Sequence, residues 1–229
     1  MIYIGIDDTD NLESRGTGWL ARGIAQDLAM DYAVTGVTRH QLLVDERIPY
    51  TSHNSSAAIS LDEPESTDLA ALFERVQVLM LAGFVHGSDP GVCVATDTAA
   101  QALYPFGRRA QSEVLMQAEA RRLAQDHTVL LAGLGGSQDG VIGALAAVGL
   151  AACGEDGRYL SVGRTRELSG LLDVSDVLAA GIRAVLTQEG TPVDDGLVLA
   201  EKLRPARRNG QPVLYVEWQA DHWQPIKLN

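Results

Sequence analysis

Apolar positions change their spacing several times along the chain, and the changes mark its elements. Residues 2–6 are a β-branched and aromatic run, which predicts a strand. Polar residues 7–16 follow as a loop. Leu20, Ile24 and Leu28 then recur every four residues, with Trp19 beside them, and predict a helix from residue 17 to about 31. Residues 34 to about 44 read as a second strand, 45–56 as a polar loop and 57–61 as a third strand. Leu69, Leu72, Phe73, Val76 and Met80 form a second helical face, with Ser66 or Thr67 expected as its N-cap.

Residues 91–95 are a short strand-like run, and 108–124 read as one exposed helix. A brief strand over 129–132 leads into the glycine-rich segment 133–143. The stretch 141–152 is apolar all round, which predicts a buried helix. Val174, Val177, Leu178, Gly181, Ile182, Val185 and Leu186 are spaced three and four apart. They predict an amphipathic helix that stops at Gly190. The end reads as a hairpin: one arm over about 197–203, a turn at Asn209-Gly210, and a returning arm over 212–218. Strands and helices alternate early and a β pair closes the chain, so the class is α/β or α+β.

Composition narrows the picture. The 229 residues are 46% apolar and 21% charged, ordinary for a globular protein. No apolar run reaches the roughly 20 residues of a membrane span. The first ten residues read as a core strand rather than a signal peptide. Cys93 and Cys153 are too few for a disulfide framework or a cysteine-based zinc site, and a reducing, cytoplasmic setting is expected. The net charge of −12 disfavours a broad nucleic-acid surface, although arginines gather at Arg204, Arg207 and Arg208 and at Arg164 and Arg166. Lys202 and Lys227 are the only lysines, and neither follows a glycine-rich turn, so no P-loop lysine is available.

Four segments carry candidate chemistry. Asp7, Asp8 and Asp10 crowd the C-terminal end of the first strand, where open α/β sheets bind ligands. Carboxylates this close repel one another unless a cation such as Mg²⁺ offsets them. Metal–phosphate binding and a solvated acidic turn both fit. At Gly16-Thr17-Gly18 a helix begins and an anion is welcome; Thr17 could bond a phosphate, accept one or cap the helix. Gly133, Gly135, Gly136, Asp139, Gly140 and Gly143 would let backbone approach a ligand, although the run is neither a Walker motif nor a dinucleotide fingerprint. His53 and Asn54 could meet a base, ribose or phosphate, or belong to a polar surface loop.

Gly5-Ile6-Asp7-Asp8-Thr9-Asp10 followed by Gly16-Thr17 resembles the opening of archaeal tRNA-isoleucine agmatinylcytidine synthetase. So do residues 47–57, Ser88-Asp89-Pro90-Gly91-Val92, and the run from Asp139-Gly140-Val141 through Gly143-Ala144-Leu145-Ala146-Ala147 to Gly149. The order and rough spacing match over nearly the whole chain. The resemblance implies a kinase-like α/β domain that uses ATP and Mg²⁺, packed with a ferredoxin-like βαβ domain. It also implies cleavage of ATP to AMP and an autophosphorylated threonine before the first helix, for which Thr17 is the best match. On this chain it puts the kinase-like domain at 1–165 and the ferredoxin-like portion at 166–229, with 54–106 as a further candidate.

The implied site has Asp7, Asp8 and Asp10 as metal ligands and, with Thr17, as catalytic groups. Thr9, Gly16, Gly18, His53, Asn54 and the glycine segment would hold the nucleotide. That family continues into an OB-fold and a zinc ribbon that grip tRNA, and neither is expected in this chain. The leading expectation is an ATP- and Mg²⁺-dependent phosphotransferase or ligase with a nucleotide and a small molecule as its partners. Self-association into a homo-oligomer is compatible with all of this. RNA modification with a separate partner, and a nucleotide sensor without turnover, are the alternatives.

Overall fold

The computed structural model of the chain describes residues 1–11, 13–48 and 53–227. Residues 49–52, which hold the proline of the polar loop, lie outside the described residues. The central strand β1 (Ile2–Asp7) sends Ile2, Ile4 and Ile6 into one apolar cluster and Tyr3 into another, as the two-residue period of a strand requires. Helix α1 (Thr17–Leu28) leads to β2 (Val34–Gln41), then β3 (Ser55–Leu61), helix α2 (Leu69–Gly83) and β4 (Gly91–Thr96). β1 lies between β3 and β4, and β2 lies outside β3, all antiparallel.

This order, 4-1-3-2 with two crossover helices, is the split βαβ arrangement of ferredoxin-like units. It occupies residues 2–96. The ferredoxin-like portion expected at 166–229 is therefore not formed there, because that stretch holds one short helix among the described residues and lacks the second crossover. The candidate stretch 54–106 supplies β3, α2 and β4, which are half of the unit.

Helices α1 and α2 cover the face that carries Ile2, Ile4, Ile6, Val37 and Ile59. The other face is covered by α3 (Asp97–Ala102), α4 (Tyr104–Ala110), α5 (Gln117–Asp126) and α6 (Gly140–Cys153). α6 is buried on nearly every side, as its uniform apolarity predicts, because it runs between the sheet and the other three helices. It also lies unusually close to the sheet. A methyl group on Gly5 would overlap the Ala144 carbonyl, and one on Gly91 would overlap the Gly140 backbone. β5 (Leu130–Gly133) extends the sheet beyond β4, and β6 (Arg158–Ser161) extends it beyond β2.

The remaining elements are β7 (Leu171–Asp173), α7 (Val174–Ala179), β8 (Ala184–Thr187), β9 (Leu197–Leu199), β10 (Ala206–Arg208), β11 (Gln211–Gln219) and β12 (His222–Pro225). They build a third cluster around Val177, Val185, Val198 and Leu214, and join the main sheet where β10 pairs with β6. The α/β class is observed, with seven helices and twelve strands among the described residues. No helix there is long and apolar enough to cross a membrane.

Several local expectations are corrected. The helix predicted over 174–186 ends at Ala179, because Gly181 has φ +113° and turns the chain into β8, which pairs in parallel with β11. Its apolar spacing serves a short helix and then a buried strand. The hairpin turn at Asn209-Gly210 is present, with φ of +48° and +70°, but its outgoing arm is β10 rather than 197–203. Residues 108–124 break into α4 and α5. The cap of α2 is Asp68, whose carboxylate accepts from the amides of Ala70 and Ala71 at 3.0 Å, and not Ser66 or Thr67.

Candidate functional site

β1 delivers Asp7 to the end of the sheet, and Asp8 follows with φ +50°, so the chain turns sharply there. Asp10 then reaches forward to the start of α1. Its carboxylate accepts from the Thr17 amide at 3.0 Å and from the Thr17 hydroxyl at 2.8 Å. The helix needs this contact, since its N-cap residue is Gly16, which has no side chain to offer. The Thr17 hydroxyl also accepts from the Thr9 hydroxyl at 3.2 Å. Thr17 thus does not cap α1; it is a buried link between Asp10 and Thr9, with its own proton given to Asp10.

The glycine-rich segment meets this loop at one point. Gly143, in the first turn of α6, faces the Asp7 side chain so closely that any methyl group there would overlap its carboxylate. Asp89 and Asp139 approach from the same side. Asp89 accepts from the amide and the hydroxyl of Ser137, each at 2.7 Å. The same hydroxyl lies 2.9 Å from Asp139, so its single proton serves one of the two carboxylates at a time.

Five aspartates therefore surround one end of a cavity of about 300 Å³. Thr17, Gly140 and Gly143 share that wall, while Leu42, Arg47, His53, Asn54, Glu113 and Met116 are among the residues lining the remainder. On the far wall the Asn54 amide donates to the Leu43 carbonyl at 2.6 Å. Arg47 is paired with Asp45 at 2.7 Å.

The electrostatics follow from this crowding. Burial, then Asp8 and Asp10, push the Asp7 carboxyl up to about 8. Burial, then Asp89, Asp10 and Asp139, push Asp8 up to about 6. Among the described residues no three His, Cys, Asp or Glu side chains are gathered into a ready-made cation cage. Such a donor set fits a hard cation that takes one or two carboxylates and completes its shell with water and phosphate oxygens.

The structure thus brings Asp7, Asp8, Asp10, Thr17, His53, Asn54, Asp139, Gly140 and Gly143 to one cavity. Other expected site residues lie elsewhere. Gly133, Gly135 and Gly136 are not on its wall: Gly133 packs against Gln138, Gly135 lies against Pro90, and Gly136, with φ +53°, makes room for the Asp89 carboxylate. Their small size serves loop packing. Thr9 sits behind the wall, bonded to Thr17. Gly16 and Gly18 line a smaller adjoining cavity of about 130 Å³. Asp89, Arg47 and Glu113 line the main cavity without having been named as site residues from the sequence; Asp89 had a signal in Ser88-Asp89-Pro90-Gly91 and Arg47 in the resembling stretch 47–57, while Glu113 had none.

Comparison with solved structures points in the direction of the sequence resemblance. A structure of TiaS, a tRNAIle2 agmatidine synthetase, in complex with tRNA and ATP is 27% identical over 65% of this chain, with a TM-score of 0.57. A second TiaS complex, with tRNA, AMPCPP and agmatine, is 26% identical over 65% of this chain, with a TM-score of 0.56. A tRNA fluorescent labelling enzyme is 27% identical over the same share, with a TM-score of 0.57. The chain spans about a third of the length of these proteins, 35% to 36% of each. No protein-family profile matches the chain, and no curated protein does.

Proposed function

We propose that this chain binds ATP with Mg²⁺ in the acidic cavity and transfers a phosphoryl or nucleotidyl group to a small-molecule acceptor, as a phosphotransferase or ligase. One observation carries the reading: the Asp7 carboxylate rests on Gly143, so the acidic turn and the start of α6 form a single wall. Similarity to TiaS structures that contain ATP or AMPCPP supports the nucleotide. The nucleotide-handling half corresponds to residues 1–165, with 166–229 as an accessory unit.

Asp7 and Asp8 are the groups whose raised proton affinity a cation would relieve. A bound Mg²⁺ would neutralise phosphate charge and orient the phosphates for in-line attack. Asp10 holds the α1 entry and keeps Thr17 in place. The amides of Gly140, Val141 and Ile142 are already bonded to backbone carbonyls. α6 therefore contributes its positive N-terminal dipole, and at Gly143 the room that the Asp7 carboxylate occupies, more than free donors. The positioning of charge against charge is the work that phosphoryl transfer asks of a protein. The Thr17 hydroxyl donates its proton to Asp10, which supplies a base at 2.8 Å if this hydroxyl acts as a phosphoryl acceptor.

The test is release of AMP, ADP and phosphate from ATP by the pure chain with Mg²⁺, over a panel of acceptors, repeated with Asp8→Asn. Turnover that Asp8→Asn abolishes without unfolding the protein is the expected result. Saturable ATP binding with no turnover across the panel makes the chain a nucleotide sensor instead. The tRNA in the related structures favours one second reading, RNA modification with a partner, and Mg²⁺-dependent labelling of tRNA by the chain would establish it.

A further inference from the structure

Beside the acidic cavity the chain gathers arginines that make no ion pair among the described residues. Arg39 on β2 and Arg158 on β6 are register partners on adjacent strands, so their side chains leave the same face of the sheet. α1 lies on that face, where a methyl group on Gly18 would press into the Leu160 side chain. Arg22, one turn further along α1, donates to the Gly18 carbonyl at 2.8 Å, and Arg166 donates to the Leu160 carbonyl at 3.1 Å. Arg204 stands just before β10, the next strand.

None of the five takes part in an ion pair among the described residues, and Arg158 Nε is buried with no hydrogen-bond partner. Burial and mutual repulsion lower the guanidinium pKa of Arg22, Arg39 and Arg204: Arg22 feels Arg166 and Arg204, Arg204 feels Arg166 and Arg158, and Arg39 feels Arg158. In a chain of net charge −12, five cations gathered without an ion pair among the described residues are costly unless an anion offsets them, and Asp10, the carboxylate that shares the small cavity with Arg39, is already engaged by Thr17.

We propose that Arg22, Arg39, Arg158, Arg166 and Arg204 form an anion site that holds a phosphate group of the acceptor substrate, which makes that acceptor a small phosphate-bearing molecule. The role of acceptor rests on the phosphotransfer reading above; the anion site itself does not. Planar guanidinium forks match phosphate oxygens two at a time, and a phosphate dianion offsets more of this charge than a single carboxylate. The smaller cavity is lined by Arg39, Gly16, Gly18, Ser55 and Leu160, and it shares Asp10, Thr17 and His53 with the acidic cavity. Arg39 is the member of the five that lines this cavity, so a phosphate held at Arg39 would leave the rest of the molecule to reach across Thr17 to the nucleotide side.

The experiment titrates ribose 5-phosphate, ribose and inorganic pyrophosphate into the full chain by calorimetry, with neither ATP nor Mg²⁺ present. Both phosphate compounds bind and ribose does not. Arg166→Gln, an exposed position that folding tolerates, and Arg158→Gln each weaken binding about tenfold, the loss of one charge-assisted contact. Ribose binding as well as ribose 5-phosphate, no binding of either phosphate compound, or unaltered affinity in both variants overturns the proposal. Much tighter, salt-sensitive binding of a short single-stranded RNA, lost in the same variants, also overturns it and makes the patch a nucleic-acid surface. Because no nucleotide is present, failure of ATP turnover with phosphate binding intact would count against the phosphotransfer reading alone.

Discussion

Replacing Asp7 by asparagine removes the titration that dominates the metal-free cavity. The Asp7 carboxyl rises from an ordinary 3.8 to about 8 on folding. A group of this kind holds its proton more firmly in the native than in the unfolded chain. Between the two values the native state carries the extra proton, so stability falls as pH rises, by up to about 1.4 kcal/mol per unit. The stability is whole below about pH 4 and the loss is complete above about pH 8. Carried across that window the loss would approach ~6 kcal/mol, but Asp8 titrates with Asp7 and shares the charge, so about 3 kcal/mol is the working figure.

Urea midpoints measured in a chelator from pH 5 to 9, for wild type and Asp7→Asn, yield the difference directly. The variant should exceed wild type by about 1 kcal/mol at pH 5 and by about 3 kcal/mol near pH 8.5. Mg²⁺ with ATP should restore wild type and leave the variant unmoved. Parallel pH profiles for the two proteins would refute the idea that charge crowding at Asp7 strains the empty cavity.

Gly143→Ala gains about 1 kcal/mol of helix propensity and loses about 1–3 kcal/mol to overlap with Asp7. Its melting temperature should therefore shift only slightly, while its affinity for Mg²⁺–ATP falls sharply in an equilibrium titration. Gly5→Ala meets backbone instead, at Ala144, and calorimetry should show a much larger loss of stability. Asp68→Ala removes a cap that serves two amides and should cost about 1 kcal/mol in urea unfolding, with nucleotide binding unchanged. Cys93 is fully buried and its thiol pKa is pushed far up, whereas Cys153 is half-buried. Mass spectrometry after maleimide treatment should find Cys153 modified in the folded protein and Cys93 only after denaturation.

The first 96 residues were largely legible in the sequence because their strands are short apolar runs bounded by polar loops and their two helices keep a regular apolar face. The meeting of the acidic loop with the glycine segment was also legible in outline, since charge crowding and glycine content are local properties. What the sequence hid was the partner of each glycine. Gly133, Gly135 and Gly136 face their own loop and the 88–90 turn, and only Gly140 and Gly143 reach the cavity. Asp89 contributes a carboxylate from a turn that precedes the glycine run by more than forty residues, and only the pairing of β4 with β5 makes them neighbours. Helical spacing over 174–186 misled because Gly181 switches the chain from helix to strand between apolar residues of the same core. Arg166 and Arg204 stood out in the sequence as local groups, but their company with Arg39 and Arg158 did not, because those two are separated in sequence and joined by β2–β6 pairing.

The direct seating of α6 on β1 and β4 has a mechanical side. At Gly5 and Gly91 helix and sheet meet backbone to backbone, and around these points tightly packed side chains of α6 fill the interface, so it resists displacement. The acidic wall of the cavity is thereby stiff. The opposite wall comes from irregular stretches at 42–48, 53–54 and 113–116, which rest on few backbone bonds. Any narrowing of the cavity around a guest must therefore come from that compliant rim, while the aspartate side stays fixed as the reference against which it moves.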